Sequence, residues 1–207
     1  MRATLDAAAA LPLFATAPLH RRRHLRLGAT DAEVRRAMPG DEWVEHPSFA
    51  ATRAVTIAAP PEDVWPWIVQ MGYRRAGFYT YALLDNAGYD SADTVLPEYQ
   101  HVAVGDRMPM SGTVTDATAF TVTAFEPNRW LVWQKPDSTW VWTLTPVDGG
   151  TRLVTRLRAA YDWHHPQSAV LSLVLLEFGD YPMMRRMLRG IRIRAERLAD
   201  RRVQDPR

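Results

Sequence analysis

Between Gly105 and Tyr161 the apolar residues of this chain recur with a period of two, and beyond Pro182 they recur with the period of a helix. Asp106 to Met110, Ala119 to Phe125, Arg129 to Gln134, Thr139 to Thr145 and Thr151 to Tyr161 read as strands, whose successive side chains point to opposite faces. Their connections are short. Glu126-Pro127-Asn128-Arg129 has proline at the second turn position, and Asp148-Gly149-Gly150 is a hairpin signal. Short connections imply antiparallel neighbours and hence a meander. Trp140, Trp142 and Leu144 share one face, with Val141, Thr143 and Thr145 on the other. Leu153, Leu157 and Tyr161 face one way, and Arg152, Arg156 and Arg158 the opposite way. The split predicts one covered face and one wet face.

An apolar sheet face needs a cover. Met184, Met187, Leu188, Ile191, Ala195 and Leu198 fall on one side of a long C-terminal helix, for which Pro182 suits the start. Pro166 to Phe178 is apolar nearly all round, which predicts a buried segment or a lid over a cavity. Ahead of the meander, Arg53 to Ala58 reads as the first strand, with Val55 and Ile57 on one face. Pro60-Pro61 followed by Glu62 and Asp63 starts a helix, in which Pro66 predicts a kink or an early end. Ala76 to Asn86 offers a second short helix, ended by Gly88. Thr30 and Glu33 form a capping-box pattern for a short helix near 31–37, stopped by Pro39-Gly40. Residues 1–50 are thus expected to be a leader or extension, and 51–203 the main domain.

The order strand, two short helices, antiparallel meander, long C-terminal helix resembles the helix-grip fold of the START-like superfamily, also called SRPBCC or Bet v 1-like. The chain is most similar to its bacterial members related to polyketide cyclases and dehydratases. The resemblance runs from about Leu27 to Arg197. It is carried by Ala59-Pro60-Pro61-Glu62-Asp63-Val64-Trp65-Pro66-Trp67, Gln70-Met71-Gly72-Tyr73 and Arg75-Ala76-Gly77-Phe78-Tyr79-Thr80-Tyr81. Leu84-Asp85-Asn86, Leu96-Pro97-Glu98-Tyr99-Gln100, Val104-Gly105-Asp106 and Met187-Leu188-Arg189-Gly190-Ile191 add to it. The resemblance implies an α+β fold, a curved antiparallel sheet wrapped around the long C-terminal helix. It also implies one cavity of the kind that holds lipids, sterols, polyketides or hormones. The superfamily's enzymes share no catalytic set, so no active site carries over, and fold alone does not give function.

Two periodicities place the expected cavity. Trp140, Trp142, Leu144, Leu153 and Leu157 line it from the sheet and Met187, Leu188 and Ile191 from the helix, with Tyr79 and Tyr81 at one end. Eight tryptophans are many for 207 residues, and tryptophan serves pockets and cores alike. A ring-closing or dehydrating enzyme would need a carboxyl or phenol near a carbonyl, and Tyr79, Asp85 and Glu98 are the candidates. For the two carboxyls the structural reading takes precedence: Asp85 as a local cap or backbone partner, Glu98 as a solvated side chain. The absence of cysteine excludes a thiol nucleophile, a disulfide framework and a thiolate-held metal, and fits a cytoplasmic chain. No His-Glu-x-x-His spacing, Walker loop or Gly-x-Ser-x-Gly elbow occurs, so no metal and no cofactor are expected.

Residues 7–19 carry a weak signal-peptide look, spoiled by Asp6, and no apolar run reaches the ~18 residues of a spanning helix. Arg185, Arg186, Arg189, Arg192, Arg194, Arg197, Arg201 and Arg202 crowd the C-terminal helix. They read as a solvated face with, at most, weak attraction to an anionic membrane surface, and not as a nucleic-acid stripe, because the net charge is only +2. The expectation is binding, extending to transport, of a hydrophobic small molecule or lipid in that cavity. The alternative is a cofactor-independent cyclase or dehydratase acting on an aromatic or polyketide-type substrate in the same cavity.

Overall fold

A computed structural model of the chain describes residues 10–204. Strand β1 (Phe49–Ile57) is followed by helices α2 (Pro61–Val69) and α3 (Ala82–Asp85), with α1 (Asp31–Arg35) ahead of it. Then come β2 (Arg107–Pro109), β3 (Ala119–Glu126), β4 (Trp130–Lys135), β5 (Ser138–Val147) and β6 (Gly150–Ala159). Helix α4 (Pro166–Val174) leads through a π-helical turn, Leu175–Gly179, into α5 (Asp180–Gln204). The six strands form one antiparallel sheet in the order β1-β6-β5-β4-β3-β2, so the first strand pairs with the last. This is the α+β helix-grip architecture.

The inner face carries the core. Trp140, Trp142 and Leu144 of β5 lie opposite Leu157, Thr155 and Leu153 of β6, and Trp133 of β4 pairs with Trp140. The rings of Trp133, Trp140 and Trp142 pack with centroids 5.1 to 6.0 Å apart. Trp140 Nε1 donates to Thr155 Oγ1 at 2.9 Å, which satisfies the indole inside an apolar layer. Against this face α5 lays Met184, Met187, Leu188, Ile191 and Ala195, all buried. Burying side chains of this size stabilises the sheet–helix contact by roughly 1.5–3 kcal/mol each.

The outer face is not wet. α1 and the residues after it lie across it, and Met38 packs with Ala54, Val132, Val141 and Val154. The arginines expected in solvent anchor this strap. Arg152 takes Glu33 in a two-pronged bond of 2.7 and 2.9 Å. Arg156, itself buried, donates to the carbonyls of Glu33, Val34 and Arg36 at 2.9 to 3.0 Å and to Asp41 at 2.5 Å. Arg158 donates to the Val44 carbonyl at 2.8 and 3.0 Å. A short helix leaves its last carbonyls unpaired, and guanidinium groups rising from the sheet satisfy them. Upstream, Leu25 and Leu27 accept from Thr52 and Ala54 and cover the free edge of β1.

Three other expectations change. The second short helix is a single turn, because Gly77 (φ 71°) and Tyr79 (φ 60°) take left-handed conformations that no α-helix contains. The C-terminal helix does not begin at Pro182 but runs unbroken for 39 residues from Pro166. The π turn lies where the Pro182 ring would clash with the carbonyl four residues back, and it widens the helix there. Helix α4, expected to be buried or to act as a lid, has only Ala169 buried and does not line the cleft that lies between residues 79–93 and α5. Pro66, by contrast, sits inside a helix of nine residues, the short form expected.

Candidate functional site

The segment after α2 reaches α5 by a close approach. A Cβ on Gly190 would stand 2.6 Å from Tyr79 Cβ and 2.8 Å from its carbonyl oxygen, so only glycine lets the helix lean on that backbone. Between residues 79–93, the α5 turns from Pro182 to Arg194, and the Leu27–Gly28 and Ala54–Val55 side of the sheet lies a cleft of about 950 Å³. Tyr79, Tyr81, Leu188 and Ile193 give it apolar and aromatic surface. Arg185, Arg189 and Arg192, at spacings of four and three, give it positive charge. These three arginines are exposed and form no ion pair among the described residues. Arg194 is committed: its Nη2 meets Asp93 at 2.8 Å, its Nε donates to the Ala92 carbonyl at 2.8 Å, and its guanidinium stacks 4.7 Å above the Tyr79 ring. Arg186 stacks 4.4 Å from the Tyr81 ring centre.

Tyr79 is buried. Its hydroxyl donates to the Trp67 carbonyl at 3.0 Å and accepts from Gln70 Nε2 at 3.0 Å. Gln70, fully buried, in turn accepts through Oε1 from Leu96 N at 3.0 Å and Gln100 Nε2 at 3.2 Å. Burial pushes the phenol well above its usual range. This hydroxyl ties the 79–93 segment to α2, and its one proton is committed to the Trp67 carbonyl. Asp85 is different. Thr80 Oγ1 donates to its Oδ2 at 2.5 Å, while Oδ1 is buried with no partner among the described residues. Burial pushes this carboxyl up to about 6, opposed by the Thr80 bond and the Arg186 charge. Glu98 is exposed in the turn Pro97–Tyr99 and does not line the cleft.

No protein-family model matches the chain, and no curated protein matches it significantly. It is similar to several solved structures. One is the Polyketide_cyc-like protein Cgl2372 from Corynebacterium glutamicum, at 15% identity and a TM-score of 0.44, covering 69% of this chain and 88% of that one. Another is Ms6760 from Mycobacterium smegmatis, at 19% identity and a TM-score of 0.43, covering 73% and 91%. A third is the di-domain ARO/CYC BexL from the BE-7585A biosynthetic pathway, at 18% identity and a TM-score of 0.46 over 75% of this chain. The chain spans 53% of BexL.

The residues expected to bind ligand thus divide in two. Tyr79, Tyr81 and Leu188 line the cleft. Trp140, Trp142, Leu144, Leu153, Met187 and Ile191 are buried in the core beneath it, with Leu157 half-buried at its margin. Sequence reading missed the part played by Arg185, Arg189 and Arg192. Their common helix face was legible, but a polar helix face looks the same whether it meets water or a second wall. Among the described residues no three His, Cys, Asp or Glu side chains converge as a metal site requires.

Proposed function

We propose that the chain binds a small hydrophobic molecule carrying an acidic group, held in the cleft between residues 79–93 and α5. The observation that supports this is the juxtaposition in one concavity of Tyr81, Leu188 and Ile193 with Arg185, Arg189 and Arg192. Its volume is of the size that takes a drug-like or lipid-like molecule. Apolar contact supplies affinity, and arginine forks meet a carboxylate or phosphate with paired hydrogen bonds. Leu188 and Tyr79 are the core residues that reach this site. A co-purifying ligand, or added oleate as a probe, is the direct check. Native mass spectrometry is expected to show a one-to-one adduct; a bare protein mass across an oleate titration contradicts the proposal.

A second reading, that of a cofactor-independent cyclase or dehydratase, is favoured by one observation. The Asp85 carboxyl, bonded to the cleft-lining Thr80 though not itself in the lining, has a buried oxygen without a partner among the described residues, and burial raises it to about 6. A group so poised can give and take a proton at a carbonyl oxygen and its neighbouring carbon. With the Tyr79 hydroxyl committed to Trp67 and Gln70, Asp85 is the residue this chemistry would use.

A further inference from the structure

Helix α4 presents apolar side chains outward. Val170 is 52% exposed, Leu171 59% and Val174 47%, and the π turn adds Leu175 at 57% and Phe178 at 39%. Folded proteins seldom leave so much contiguous apolar surface bare unless something docks there. The patch extends on both sides. Trp163, exposed, packs edge-on against Tyr161 with centroids 6.4 Å apart. The turn Ala17–His20 lies against the π turn and carries exposed Leu19.

Charge borders the same surface. Arg21, Arg22 and Arg23, two to four residues beyond Leu19, are exposed on one helical turn. Arg21 Nε donates to both oxygens of Glu177 at 2.8 and 2.9 Å, which fastens the basic turn to the apolar one. Of the acidic groups nearby, Glu177 is paired with Arg21, and Asp162 shares a hydrogen bond of 2.6 Å with His165 Nδ1. The surface therefore offers apolar side chains, an exposed indole and a basic border together.

We propose that this surface docks on an anionic lipid bilayer. The exposed side chains of Trp163, Val170, Leu171, Val174, Leu175 and Phe178 enter the interfacial layer, and Arg22 and Arg23 meet the headgroup charge. This combination is what holds a protein in the plane of a membrane without spanning it. No described helix is long and apolar enough to cross a membrane, so the contact is peripheral. A second copy of the chain fits the face less well. Apolar side chains alone would suit a second copy equally, and it is the basic border that favours an anionic surface. The inference does not depend on what the cleft binds.

Co-sedimentation of the full chain with vesicles tests it. Vesicles of phosphatidylglycerol mixed with phosphatidylcholine are expected to carry the protein down, and vesicles of phosphatidylcholine alone to do so about tenfold less well. The double variant Leu171→Ser, Leu175→Ser should lower binding to anionic vesicles about tenfold with an unchanged thermal midpoint, since both side chains are exposed. Arg22→Glu with Arg23→Glu should do the same, and Arg189→Glu, in the cleft, should not. Several results overturn the proposal. They are no sedimentation with either vesicle, undiminished binding by the double variant, or loss in Arg189→Glu alone, which would mean a lipid held in the cleft. A dimer without vesicles that the double variant dissolves also overturns it, because a second copy would then be the occupant.

Discussion

Asp85 holds its proton more tightly in the folded chain than it would in an unfolded one, because burial outweighs the Thr80 bond and the Arg186 charge. The sign of the linkage follows. Between the ordinary 3.8 and about 6 the folded state binds more protons, so this residue's contribution to stability is fullest below 3.8 and declines as pH rises through about 6. Asp85→Asn keeps the shape and an acceptor for Thr80 while removing the ionisation. Its thermal midpoint should be similar to the parent's near about pH 4 and higher than the parent's near about pH 7.5, as read by calorimetry. An equal difference at both values would show that the carboxyl is not held in a desolvating place. Tyr79 makes the contrasting point. Its left-handed backbone and its committed hydroxyl make it a fixed support, and its place at the cleft wall comes from the Gly190 contact.

Arginines of one chemical type serve different elements in different ways. Arg156 rises from β6 and is buried under the strap, where it is the shared donor for three carbonyls and Asp41. Arg192 stands exposed on α5. Arg156→Ala should cost about 3 kcal/mol in urea unfolding, since it leaves buried acceptors unpaired, whereas Arg192→Ala should cost less than about 0.5 kcal/mol. Similar small values for both would mean that the strap is not bound as described. Alternation along β5 and β6 was enough to assign each side chain to a face. It makes the arginine face the wet one, because the cover of that face comes from residues more than a hundred positions earlier and engages mainly through backbone carbonyls, which leave no side-chain signature. The first strand was read from Arg53 rather than Phe49, since Ala50 and Ala51 blur the alternation. An all-round apolar helix such as α4 reads as buried or as a lid, and only tertiary placement shows it bare.

At the scale of the molecule, two inner surfaces have to be kept apart: a packed core and an open cleft. The helix-grip order, the single meander and the core residues of α5 were legible because each rests on a local period. The cleft was legible only at Tyr79, Tyr81 and Leu188. Its charged wall depends on residues 79–93 folding back over α5, a long-range event set by left-handed turns and by Gly190. The central claim is that the ligand sits against the arginine wall and not among the tryptophans. Fluorescence titration with anthroyloxy-stearate into the parent chain and Arg189→Glu tests it most directly, with the methyl ester of the probe as control. Saturable one-to-one binding is predicted, weakened about tenfold, or ~1.4 kcal/mol, by Arg189→Glu and likewise by esterification. Absence of saturation, or equal affinity for acid and ester in both proteins, would contradict it.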